Sequence, residues 1–145
     1  MQLISLYTAQ ATASGGRAGG SVKTADGAIN LRLGLPQELG GDGATGETSV
    51  NPEQLYACAW AASFADALGF VARQHNRVLR EISVTAKVSF GQYESNGFGI
   101  TAEFEISLPE LPAAEAGEII AAARLTCPYN KAFAGAEDLP ITLKT

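Results

Sequence analysis

The chain has 145 residues, 46% of them apolar, the size and composition of one domain with a core of its own. Ten Lys and Arg against fifteen Asp and Glu leave a net charge of -5 with no basic cluster, so neither nucleic acid nor an anionic membrane is expected as a partner. Two cysteines make no disulfide scaffold, one histidine leaves no zinc-ligand spacing, and no leader-like N-terminus or apolar run near the roughly 20 residues of a membrane span is read; a soluble cytoplasmic protein, metal-free, with redox chemistry the natural use of its thiols, is the expectation.

Taken in chain order, Leu3 to Leu35 reads as three short strands separated by glycine. Residues Leu6 to Ala13 come first, then a turn at Ser14-Gly15-Gly16, a strand from Gly20 to Thr24, and an Asp26-Gly27 hairpin signal. In the third strand Ile29, Leu31, Leu33 and Leu35 share one face while Asn30 and Arg32 take the other. Pro36 to Val50 is rich in glycine, threonine and acidic residues without periodicity and is expected to be a surface loop.

A long helix should then run from Asn51 to about Gln74. Asn51 is a good N-cap, Pro52 lacks the N–H that the first helical position would orphan, and Gln54 stands where a capping-box partner belongs. Leu55, Cys58, Ala59, Ala62 and other small apolar residues cover most of its circumference, which predicts burial on several sides. Ile82 to Phe90 and Phe98 to Leu108 alternate as two strands joined through Ser95-Asn96-Gly97; Pro112 to Leu125 reads as a second helix, Pro128 to Phe133 as a short helical turn, and Leu139 to Lys144 as a last strand. The order βββ-α-ββ-α-β gives a single α+β domain with antiparallel sheets around a long buried helix.

Three segments carry a likeness: LYTAQATASGGRAGG at the start, NPEQLYACAWAASFADAL in the middle and LTCPYNKAF near the end. Together they resemble the organic hydroperoxide resistance and osmotically inducible protein C (Ohr/OsmC) family, closer to the Ohr branch. The resemblance implies an OsmC-like fold, an intertwined homodimer with its sites at the interface, and thiol-dependent reduction of organic hydroperoxides. It carries the branch's arginine to Arg17, its glutamate to Glu53 and its resolving cysteine to Cys127. The attacking cysteine, thirteenth from the motif's asparagine, corresponds to Ser63. No bound cofactor is implied; the reductant is an external, lipoyl-like dithiol.

The chemistry explains such a set. A thiolate must attack the O–O bond, yet a free cysteine near pKa 8.5 is mostly protonated at neutral pH. A guanidinium can stabilise the thiolate and donate to the peroxide oxygens, and a carboxylate can hold that guanidinium bidentately. The sulfenic acid then condenses with a second thiol, and an external dithiol reduces the disulfide. A serine hydroxyl is far less acidic and has no sulfenic-type oxidation state, so Ser63 should block or greatly reduce turnover. Three explanations stay open: a deliberate Cys-to-Ser replacement, a natural member with lost or changed activity, or transfer of the thiol to Cys58. The last is disfavoured, because five residues along a helix turn the side chain by a net of about 140° and move it about 7.5 Å along the axis. A binding protein for an apolar or peroxidised ligand on the same fold is the alternative of a different class. If the likeness holds, the Ser63 hydroxyl should face Arg17 and lie near Cys127, with Cys58 turned elsewhere.

Each of these residues also has an ordinary use. Cys58 reads as a small buried hydrophobe, Cys127 as a helix-end packing residue, and Ser63 as small-residue packing. Arg17 would be a solvated arginine in a glycine turn, Glu53 a favourable charge in a helix's first turn, and His75 a cation at a helix C-terminus. Tyr56, Trp60, Phe64 and Phe70 are core or subunit-contact aromatics, or the wall of an apolar pocket.

Overall fold

Glycine turns and short alternating strands shape the N-terminal part of the chain. In the computed structural model, which describes residues 2–41, 49–133 and 135–144, β1 (Ala11–Ser14), β2 (Ser21–Thr24) and β3 (Asn30–Leu33) pair antiparallel as a meander. The Asp26-Gly27 turn joins β2 to β3: Gly27 has φ 75° and its N–H donates to the Thr24 carbonyl at 3.0 Å. Leu33 is buried and Leu31 half-buried, while Asn30 and Arg32 are exposed, as the alternation predicts. The first strand is shorter than expected, starting at Ala11; Leu6 and Tyr7 ahead of it are exposed.

The stretch expected to be all loop contains a 3₁₀ turn, Gln37–Leu39, and a two-residue strand β4 (Ser49–Val50) that pairs parallel with β3. A two-residue strand has no period to read, so pattern alone could not reveal it. The remainder of that predicted loop, 42–48, lies outside the described residues.

Helix α1 (Pro52–Gln74) starts where the cap signals put it. The Asn51 side chain accepts from the Gln54 N–H at 2.8 Å and the Gln54 side chain accepts from the Asn51 N–H at 2.9 Å, a reciprocal capping box. At the far end Asn76 takes φ 58°, and the Arg77 N–H closes onto the Ala72 carbonyl at 2.9 Å.

The chain forms two compact units, Met1–Leu55 and Tyr56–Thr145. In the second, β5 (Ser83–Gln92) and β6 (Phe98–Ser107) make a ten-residue antiparallel hairpin, turned at Asn96 and Gly97 with positive φ. After α2 (Ala113–Thr126) and α3 (Pro128–Ala132), β7 (Ile141–Lys144) returns parallel to β6. Each sheet therefore ends in a parallel pair, which corrects the expectation of wholly antiparallel sheets. Helical crossovers long enough to reverse direction, such as the one through α2 and α3, permit parallel pairing.

The core of this second unit gathers Trp60, Phe64 and Leu68 of α1 with Phe104 and Ile106 of β6 and Ile119 of α2. Trp60, Phe64, Ala67, Leu68, Val71 and Ala72 form one helical stripe, and they are the residues of α1 that are buried. The expectation of burial on several sides is thus too broad for the single chain: Cys58, Ala62 and Phe70 are exposed. Alanines count as apolar in any pattern, but the large side chains choose which face is buried. By length and composition α1 could also cross a membrane, against the sequence expectation; its Trp60, Phe64 and Leu68, each at 0% exposure, pack into the core of the second unit.

Candidate active site

Arg17 sits in the turn between β1 and β2, whose path needs glycine. Gly15 and Gly19 have φ 75° and 99°, and a Cβ on Gly20 would lie 2.5 Å from the Ser14 carbonyl oxygen and 2.6 Å from that of Gly16. The Gly20 N–H donates to the Gly16 carbonyl at 2.9 Å, the Gly20 carbonyl accepts from the Leu33 N–H at 2.8 Å, and the Gly19 N–H donates to the Leu33 carbonyl at 3.1 Å. From this turn Arg17 reaches Glu53 in the first turn of α1 and binds it bidentately, Nη1 to Oε2 at 2.5 Å and Nη2 to Oε1 at 2.8 Å. The hydrogen-bonded guanidinium holds the Glu53 carboxyl below its ordinary pKa, and the same bond raises that of Arg17. A fork-on-carboxylate pair leaves the guanidinium charged, planar and restricted in orientation.

A second pair lies in the other unit. Ser63, on α1, places its Oγ 3.6 Å from the Sγ of Cys127, with either atom able to donate. Cys127 is the hinge between two helices: its N–H donates to the Ala123 carbonyl at the end of α2, and its carbonyl accepts from the Lys131 N–H of α3. The following Pro128 disfavours helical geometry at Cys127, which has φ -59° and ψ 121°, and suits the first position of α3. The thiol is at 0% exposure.

The sequence reading left out Asn130, which is buried and holds this region together. Its Oδ1 accepts from the Trp60 indole N–H at 2.6 Å and its Nδ2 donates to the Arg124 carbonyl at 3.1 Å. A buried tryptophan N–H needs an acceptor, and that was the one available signal; the acceptor stands 70 residues away. Tyr56 meets the Trp60 ring edge-on at 5.3 Å and the Tyr129 ring at 6.2 Å, and burial pushes its phenol pKa up. Arg124 donates to the carbonyls of Ala136, Glu137 and Leu139, latching the chain that follows α3.

Of the expected site residues, Arg17 meets Glu53 and Ser63 meets Cys127. Cys58 is an exposed free thiol, not the buried small hydrophobe expected, because residue 58 falls off the stripe that Trp60 and Phe64 define. His75 is exposed just past the end of α1. Trp60 and Phe64 are core aromatics, Tyr56 packs against that core, and Phe70 is 46% exposed. Among the described residues no group of three or more His, Cys, Asp or Glu could hold a metal ion.

The chain is similar to known proteins over nearly its whole length. The family model for OsmC-like protein matches residues 43–144. An organic hydroperoxide resistance protein of Xanthomonas axonopodis pv. citri is 42% identical over 139 residues, covering 95% of this chain and 94% of the relative. The organic hydroperoxide resistance protein OhrB of Bacillus subtilis is 35% identical over 142 residues, covering 97% of this chain and 100% of its own. Among solved structures, an organic hydroperoxide resistance protein OsmC from Legionella pneumophila superposes with a TM-score of 0.83 at 38% identity, covering 97% of each chain. The α+β architecture, the segments around Arg17, Ser63 and Cys127, and these matches agree: the chain belongs to the OsmC-like family and stands with its organic hydroperoxide resistance proteins.

Proposed function

We propose that this chain is the scaffold of a thiol-dependent organic hydroperoxide reductase in which Ser63 occupies the attacking position, so that peroxide turnover is absent or greatly reduced. The observation that carries the reading is the approach of the Ser63 Oγ to the buried Sγ of Cys127 at 3.6 Å, where a family member would set one thiol against another. With a thiolate at position 63, attack on the O–O bond yields a sulfenic acid and an alcohol, the alkoxide taking a proton. Condensation with Cys127 releases water and leaves a disulfide, and an external, lipoyl-like dithiol returns both thiols. The family likeness alone gives Arg17, held by Glu53, the role of the charge that supports a thiolate and polarises the peroxide. Cys58 is not favoured as a substitute: it is exposed, and the contact with Cys127 is made by Ser63.

A homodimer in the cytoplasm goes with this reading. Leu3, Ile4, Leu6 and Tyr7 are each more than four-fifths exposed, and α1 bares Cys58, Ala62 and Phe70, apolar surface that a second copy would cover. The non-enzymatic alternative, a binding protein for an apolar or peroxidised ligand, is favoured by the serine itself, which keeps the polar geometry and removes the nucleophile.

The test compares the chain with its Ser63→Cys variant, given cumene hydroperoxide and dihydrolipoamide. The variant should consume peroxide at least about a hundredfold faster, the scale of losing a nucleophile's contribution. An inert variant would sink the reading. Rapid turnover by the unaltered chain with a Cys58–Cys127 disulfide would transfer the role to Cys58, whereas saturable ligand binding without turnover in either protein would favour the binding module.

A further inference from the structure

Two polar contacts cross from α1 to the Cys127–Ala132 segment, and they have matching spacing. Ser63 follows Trp60 by three residues on one face of α1, and Asn130, on α3, follows by three the residue Cys127 that caps it. The Trp60–Asn130 bond at 2.6 Å and the Ser63–Cys127 contact at 3.6 Å are therefore neighbouring rungs, running in opposite chain directions.

The rungs differ in strength. Trp60 is fully buried and Asn130 is 6% exposed, and the Asn130 amide is used at both ends, by the Trp60 indole and by the Arg124 carbonyl that closes α2. The Ser63–Cys127 contact is long and involves sulfur, a poor hydrogen-bonding atom. A short, desolvated bond on one rung determines where the next rung can sit. An S–S bond of about 2.05 Å is shorter than the present separation, so closing a disulfide here needs the helices held within reach of a side-chain rotation.

We propose that Trp60 and Asn130 are positioning residues that set the separation of position 63 from Cys127, and so govern disulfide closure between two thiols there while leaving attack on peroxide unaffected. This rests on the site reading above. Closure can be measured without peroxide: two protein thiols exchange with glutathione disulfide to give the protein disulfide and two glutathiones, and the equilibrium constant reports their effective concentration.

The experiment uses the full chain carrying Ser63→Cys, alone and with Trp60→Phe, Asn130→Leu or both. Glutathione titration is read by mass-mapped disulfide between position 63 and Cys127, under conditions where every variant is shown by circular dichroism to be folded. Trp60→Phe keeps an aromatic ring and loses the donor; Asn130→Leu keeps the branched shape and loses both the acceptor to Trp60 and the donor to the Arg124 carbonyl. Each should lower the effective concentration about tenfold or more, and the double change should be no worse than Asn130→Leu alone, since both singles break the Trp60–Asn130 bond and Asn130→Leu also loses the bond to the Arg124 carbonyl. In a peroxide pulse the sulfenic acid should form at the Ser63→Cys rate but persist longer to dimedone trapping. Effective concentrations within about twofold of the parent would overturn the inference, whatever the melting temperatures do, because a merely structural role moves stability alone. If Ser63→Cys forms no sulfenic acid, the reductase reading fails while the glutathione equilibrium still decides this one.

Discussion

Glu53 shows how one carboxylate can be read twice. In the sequence it is a favourable charge in a helix's first turn; in the structure it is also the bidentate partner of Arg17, and that hydrogen bond lowers its pKa. A carboxyl with a depressed folded pKa contributes stability that is complete above its ordinary value of 4.5 and lost as pH falls through the lower folded value. The urea midpoint of the chain minus that of Glu53→Gln should therefore be largest near about pH 6 and shrink toward about pH 2. A difference independent of pH would mean that the pair contributes nothing in solution. Both Arg17 and Glu53 were legible through the family likeness, whereas Asn130 was not. A single asparagine in LTCPYNKAF has no visible purpose until the fold brings it to Trp60.

Local chemistry spoke most clearly for the elements. The α1 start was readable because Asn51, Pro52 and Gln54 satisfy the helix's orphan N–H groups within four residues of chain. Asn51→Ala should cost about 0.5–2 kcal/mol, seen as a lower thermal midpoint, and Gln54→Ala should cost less. No change on Asn51→Ala would show the cap to be replaceable by water. The glycine turn before β2 is as demanding: a methyl on Gly20 meets backbone, which cannot yield as a side chain can. Gly20→Ala should destabilise by about 1–3 kcal/mol and, by moving Arg17, abolish the acid-range difference assigned to Glu53. Persistence of that difference would show that the turn does not position Arg17. β4 and the parallel direction of the β3–β4 and β6–β7 pairings escaped the sequence because pairing direction belongs to connections and not to strand patterns.

At the scale of the molecule, a 15.0 kDa chain that bares Leu3, Ile4, Leu6, Tyr7 and Phe70 is expected to meet a second copy. Sedimentation should give twice the chain mass at micromolar concentration, and Leu6→Asp should shift the equilibrium toward monomer. A monomer at all concentrations would refute the dimer and require another account of the bared residues. Reading α1 as buried all round ran ahead of the single chain, since alanine-rich sequence says that a helix is apolar and leaves open which side is covered, and by what.

By itself the sequence determined the kinds of elements, the ends of α1, the α+β class and the family, because capping, alternation and segment likeness are written within a few neighbouring residues. It also shows serine at position 63, where the proposed reaction would use a thiol. Tertiary structure alone decided that Ser63 lies against Cys127, that Arg17 is clamped by Glu53, that Cys58 faces outward, and that Trp60 and Asn130 stitch two helices together. Those contacts join residues 36 to 70 positions apart, or follow from which large side chains claim the core, and no local pattern encodes either.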